Sequence, residues 1–127
     1  MEIRMEHTLK TYSYRKGDSP DIDQEYRQAS AYGAIKKGEN HIFWKKGFRW
    51  YLVDISRIQR AYRRIDAVDT KMCCGNVNFD IQKLILILED QSHLELLIGE
   101  GKLREAEALY LRLQEQYPQI QYGKPKA

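Results

Sequence analysis

The sequence predicts a mainly β fold (α+β): six or seven antiparallel strands in series, closed by one C-terminal amphipathic helix. Three observations point there. From Ala31 onward, turn residues recur at short intervals, as in Lys37-Gly38-Glu39-Asn40, Lys46-Gly47 and Glu89-Asp90-Gln91-Ser92. The longest apolar run, Leu84-Ile85-Leu86-Ile87-Leu88, is strand-sized. Only near residue 101 does the period change, to the 3–4 spacing of a helix over Lys102 to Tyr117.

Residues 1–30 read as an N-terminal extension, 31–118 as the domain and 119–127 as a tail. In the extension, Gly17-Asp18-Ser19-Pro20 is a turn. Asp21 to Ala31 follows as a short helix, with Asp21 or Asp23 as its cap and Ile22 and Tyr26 four apart. Ala31 to Lys36 is a strand, Ile42 to Lys45 a second. Phe48 to Asp54 is the strongest of the first half, with Phe48, Trp50 and Leu52 on one face and Arg49, Tyr51 and Val53 on the other. Ile55 to Ile65 fits two patterns. Ile55, Ile58, Tyr62 and Ile65 suit a helix capped by Asp54, whereas the strands on either side favour a strand over 58–65, which is the expectation adopted. Asp66 to Asn78 reads as a polar excursion. Phe79 to Glu89 is a long strand covered on both faces at its centre, and His93 to Ile98 is its hairpin partner. The closing helix carries Leu103, Ala106, Tyr110, Leu113 and Tyr117 in one stripe, widened by Leu109. Pro118 stops it, and the tail leaves through Gly123 and Pro125.

Composition narrows the function classes. Apolar residues are 43% and charged residues 31% of the 127, enough for one globular core. No apolar run approaches the roughly 18 residues of a membrane span, and MEIRMEHTLK resembles no targeting signal, so the expected location is the cytoplasm. Cys73 and Cys74 are adjacent and are the only two, which excludes a disulfide framework and suits a turn beside Gly75-Asn76. Residues 31–65 hold nine Lys and Arg against Glu39 and Asp54, an excess of +7 within a net charge of +3. Such asymmetry attracts anions where the charges share a face.

Gly33-Ala34-Ile35-Lys36-Lys37-Gly38, followed by Trp44-Lys45-Lys46-Gly47-Phe48-Arg49-Trp50-Tyr51-Leu52-Val53, resembles the opening strands of pleckstrin-homology (PH) domains. With the strand series and the closing helix, the chain resembles the broader PH-like superfold, in a bacterial branch, over about residues 31–118. The resemblance implies a half-open barrel of two sheets plugged by the helix. Gly47-Phe48 interrupts the basic run, and the tryptophan usual in the closing helix is replaced by Leu109 and Tyr110, so the likeness is not to a typical phosphoinositide reader.

Three binding readings follow. The PH-like resemblance implies a protein partner, an extended peptide added to a sheet edge in the groove beside the closing helix, or a second copy pairing by the same physics. It also implies anionic lipid or phosphate binding, for which Lys36, Lys37, Lys45, Lys46 and Arg49 are the candidates. Arg57, Arg60, Arg63 and Arg64 form a secondary basic group. They suit nucleic acid if their segment is a helix; as a strand, Arg60 and Arg64 face one way and Arg57 and Arg63 the other, which makes that partner the least expected. His7, His41 and His93 lack ligand spacing, and Ser30, Ser56 and Ser92 lie in no nucleophile motif. The sequence therefore predicts a non-enzymatic binding module with no metal and no cofactor.

Overall fold

The computed structural model describes residues 12–72 and 75–124, with backbone alone for 68–72 and 75–79. His7, Cys73 and Cys74 lie outside the described residues. In chain order the elements are β1 (Ser13–Tyr14), α1 (Pro20–Gln28), β2 (Ser30–Tyr32), β3 (Ile35–Lys37), β4 (His41–Lys46) and β5 (Arg49–Asp54). A 3-10 turn, Ile55–Arg57, leads to β6 (Ile58–Met72), β7 (Gly75–Leu88), β8 (His93–Glu100), α2 (Leu103–Gln116) and β9 (Gln121–Tyr122). They make two sheets, ordered β1-β5-β4-β3-β2 and β8-β7-β6-β9. Hydrogen bonding among the described residues does not close these sheets into a barrel. No described helix is long and apolar enough to cross a membrane.

The single strand expected over Ala31–Lys36 is a hairpin instead. Gly33 sits at φ +61°, and the Ala34 N–H donates to the Ile98 carbonyl of the other sheet at 2.9 Å. A Cβ on Gly33 would lie 2.3 Å from that carbonyl oxygen, so close approach of the sheets requires glycine and a left-handed turn there. Phe48 also departs from expectation. It belongs to the β4–β5 turn, not to the Trp50 and Leu52 face, and is 100% exposed.

The five-stranded sheet is covered on both faces. Ile35, Ile42, Trp44 and Val53 enter the core shared with the second sheet. On the other face Phe43, fully buried, meets Tyr26 of α1 edge-on at 5.3 Å, and Tyr26 meets Trp50 at 5.2 Å. Residues 12–30, set apart by sequence alone as an extension, thus supply an edge strand and a packed helix. Ser19, not Asp21 or Asp23, caps α1, its Oγ accepting from the Ile22 N–H at 3.5 Å. Asp23 instead accepts from Tyr14 Oη at 2.5 Å and from the Gly17 N–H at 2.9 Å.

The expected strand over 58–65 is present, and the helical alternative is confined to the short turn before it, where Asp54 accepts from the Ser56 N–H. The polar excursion over Asp66–Asn78 is a correction: β6 and β7 stay paired from Ile58↔Leu88 to Met72↔Gly75. The strand period is present there, with Val68, Thr70 and Met72 alternating with Asp69 and Lys71, but the density of polar and charged residues around it reads as a loop. Leu84 to Leu88 is buried at every position, as its continuous apolarity implies.

The closing helix buries Ala106, Leu109 and Leu113, with Tyr110 and Tyr117 packed beside them. Leu103 is a departure, at 46% exposure. The tail does not leave after Pro118. Ile120 is buried, and Gln121–Tyr122 pairs in parallel with Arg60–Ala61.

Candidate functional site

The parallel pairing of β9 marks one edge of β6. The Gly123 N–H donates to the Ala61 carbonyl at 3.1 Å, and Tyr110 Oη of α2 reaches the same oxygen at 3.4 Å. Backbone groups alternate along a strand, so those of Arg63 and Ile65 face this edge as well. Among the described residues no strand pairs with β6 on that side beyond Ala61. The edge therefore runs on from β9 with unclaimed donors and acceptors.

Side chains give this edge a chemistry. Ile65 is 50% exposed. Leu103 stands two helical turns before Tyr110, on the same flank of α2. The register Ile65↔Gln82↔Gly99 brings the start of α2 two strands from Ile65. Arg63 stands on β6 between Ile65 and the pairing with β9. Its Nε is buried with no partner among the described residues, and its Nη2 is 3.4 Å from Oε1 of the buried Gln82. A desolvated guanidinium N–H without an acceptor is costly and suits an incoming oxygen. Ile65 and Leu103 carry no mark in the sequence that separates them from ordinary core residues, whereas Tyr122 is a tail aromatic of the kind that can anchor a partner.

The five lysines and arginines expected to bind anions do not converge on one pocket. Lys36 lies on the outer face, its Nζ 4.2 Å from the centre of the Tyr26 ring. Lys37 points to the opposite face and is buried, donating to Gln116 Oε1 at 2.5 Å and to the Gly38 carbonyl at 3.2 Å. Lys45, Lys46 and Arg49 stay together, exposed at the tip of the β4–β5 hairpin. Topology adds two cations that sequence proximity does not reveal. The register Tyr14↔Trp50 delivers Arg15 and Lys16, both exposed, to the same end of the sheet.

Of the second basic group, Arg57, Arg60 and Arg64 are engaged within the fold. Arg57 meets Glu89 at 3.4 Å and lies over the Tyr12 ring; Arg60 donates to Gln121 and to the Gly123 carbonyl. Arg64 pairs with Glu95 at 2.5 Å and Asp66 at 3.0 Å. Lys83 and Arg64 hold the Asp66 carboxyl below the usual carboxylate range. No continuous cationic row for a phosphate backbone results.

Two concavities flank α1. A polar groove of about 660 Å³ is lined by Asp21, Glu25, Lys37, Glu39 and Gln116 among others. In it, Glu25 closes the β3–β4 turn by accepting from the N–H groups of Asn40 and His41 and lying 3.0 Å from His41 Nδ1. A smaller pocket of about 340 Å³ is lined by Tyr14, Lys16, Asp23, Tyr26, Arg27 and Trp50. No cluster of metal-ligating residues occurs among the described residues. Comparison with protein-family models, with curated proteins and with solved structures finds no match to this chain.

Proposed function

We propose that the chain is a non-enzymatic, PH-like binding module that takes an extended protein segment as an added strand along the β6 edge, beside α2. The order from β2 to α2, four strands, then three, then a helix, supports the PH-like reading. The observation that carries the binding reading is β9: the chain's own tail already pairs with this edge at Arg60–Ala61, and past it no other described residue pairs with the edge. Main-chain hydrogen bonds supply affinity in this mode, and alternate side chains supply selectivity. Ile65 and Leu103 select an apolar residue, and Arg63 selects an acidic one near it.

Selection of displayed random peptides against the intact chain tests this. Selected peptides should share an apolar-acidic pattern, and should shift the amide resonances of Arg63 and Ile65. Ile65→Pro removes an edge N–H without touching the β6–β7 ladder and should abolish binding while the fold persists. Peptides that bind Ile65→Pro as well as the parent would overturn the proposal.

A further inference from the structure

The smaller cavity beside α1 is built from one helix face and one pair of strands. Asp23, Tyr26 and Arg27 stand at i, i+3 and i+4, on one face of α1. Tyr14 and Trp50 are directly opposite each other on β1 and β5, so their side chains share a face of the sheet. With Lys16 these residues enclose about 340 Å³. The Tyr14 and Tyr26 ring centres are 5.4 Å apart at 34°, and Trp50 meets Tyr26 edge-on at 5.2 Å and 78°. Three aromatic rings thus wall a space at the lower end of the roughly 300–1,000 Å³ that small-molecule sites span, enough for one small ring system.

Charge decides which ring system. Tyr14 Oη donates to Asp23 Oδ1 at 2.5 Å and the Gly17 N–H donates to Oδ2 at 2.9 Å, so both oxygens of the one carboxylate in the lining are engaged. Lys16 and Arg27 are exposed, and among the described residues neither makes an ion pair. Lys36 Nζ lies 4.2 Å from the Tyr26 ring centre and 5.6 Å from that of Trp50, which already meets the attraction of those rings for a cation. A cationic ligand would face three like charges. We infer that this cavity binds a small planar aromatic carboxylate, its ring against Tyr14, Tyr26 and Trp50 and its carboxylate between Lys16 and Arg27. Ring contacts select a flat aromatic body, and the guanidinium of Arg27 selects two oxygens held in one plane. None of Lys36, Lys37, Lys45, Lys46 and Arg49 lines this cavity, and it lies on a different sheet from the β6 edge, so it stands or falls separately from peptide binding there.

The two tryptophans make the test direct, because Trp44 is buried in the core and serves as the control for Trp50. Titration of the isotope-labelled chain with naphthoate should shift the indole N–H resonance of Trp50 and leave that of Trp44 in place. Naphthylmethanol, which lacks the charge, and cyclohexanecarboxylate, which lacks the aromatic ring, should each bind about tenfold more weakly. Lys16→Gln and Arg27→Gln should each raise the Kd for naphthoate about threefold, and added salt should do the same. Both side chains are exposed, so these variants keep the fold, which circular dichroism checks. Trp50→Leu should raise the Kd roughly tenfold. Equal affinity for naphthylmethanol would mean that charge plays no part, and equal affinity for cyclohexanecarboxylate that the rings play none. Tighter binding of naphthylmethylammonium would make the cavity a cation cage. Each of these results would overturn the proposal, as would a Trp50 resonance unmoved by millimolar naphthoate or a Kd indifferent to both Lys16→Gln and Arg27→Gln.

Discussion

Lys37 Nζ donates to Gln116 Oε1 at 2.5 Å, joining the end of β3 to the last turn of α2 across 79 positions of chain. Lys37 is 7% exposed, its ammonium pairs with no carboxylate among the described residues, and it lies 5.3 Å from the Tyr117 ring centre. Burial, with Arg112 adding to it, pulls its pKa below the ordinary 10.5. A lysine so depressed binds its proton less tightly folded than unfolded. The resulting penalty is present in full below the folded pKa and disappears as pH rises toward 10.5. Lys37→Met should therefore match or exceed the parent in stability at neutral pH, by about 1 kcal/mol, and should lose the alkaline gain. Urea denaturation across that range reads both effects. A loss of several kcal/mol in Lys37→Met would show that the Gln116 bond outweighs the buried charge.

Tyr122 works in the opposite sense. Its hydroxyl lies 2.7 Å from the Leu113 carbonyl and 2.8 Å from that of Tyr117, pinning the tail to the end of α2. Burial, then Tyr110 and Tyr117, push its pKa up from 10.0 to about 12. The linked stability is complete below 10.0 and declines as pH climbs toward 12. Tyr122→Phe should cost about 1 kcal/mol near neutrality and flatten that alkaline decline. Tyr14, raised to about 12 by burial and then by its bond to Asp23, contributes a decline that the substitution leaves in place. An unaltered profile in Tyr122→Phe would mean that β9 is not held by this hydroxyl.

Gly33→Ala should be among the most damaging small substitutions. It combines a left-handed backbone with a Cβ 2.3 Å from the Ile98 carbonyl oxygen. A loss of at least about 2 kcal/mol is expected in chemical denaturation, because the two sheets must separate locally to admit the methyl group. Gly17→Ala, with open space around the same atom, should cost less.

Glu25→Ala should loosen α1 from the sheet. Its carboxylate accepts from the Asn40 N–H at 2.9 Å and the His41 N–H at 2.6 Å. Removing it leaves the half-buried His41 N–H without its partner and the exposed Asn40 N–H to water, at about 1 kcal/mol. Hydrogen exchange should accelerate at Asn40 and His41 while the amides of β7 stay protected. Uniform acceleration would instead mean that α1 and the core unfold together.

Much of this fold is written in local pattern. The closing helix, the β7–β8 hairpin and the strands around Trp44 and Trp50 follow from side-chain period and turn residues, which act over a few positions. The existence of two sheets did not follow from them, because Gly33 turns in response to Ile98, a residue 65 positions later. The site was less legible still. Lys36 and Lys37 are neighbours in sequence, yet strand alternation sends them to opposite faces. Arg15 and Arg49 are far apart in sequence, yet one register brings them to one end of a sheet. Composition and period determined the closing helix, the β7–β8 hairpin and the strands around Trp44 and Trp50, since each of those choices is settled by residues within a turn of one another. Tertiary structure alone decided which charges share a surface, which edge of β6 no described strand covers beyond Ala61 and where the tail lies, because those depend on long-range pairing that no local signal encodes.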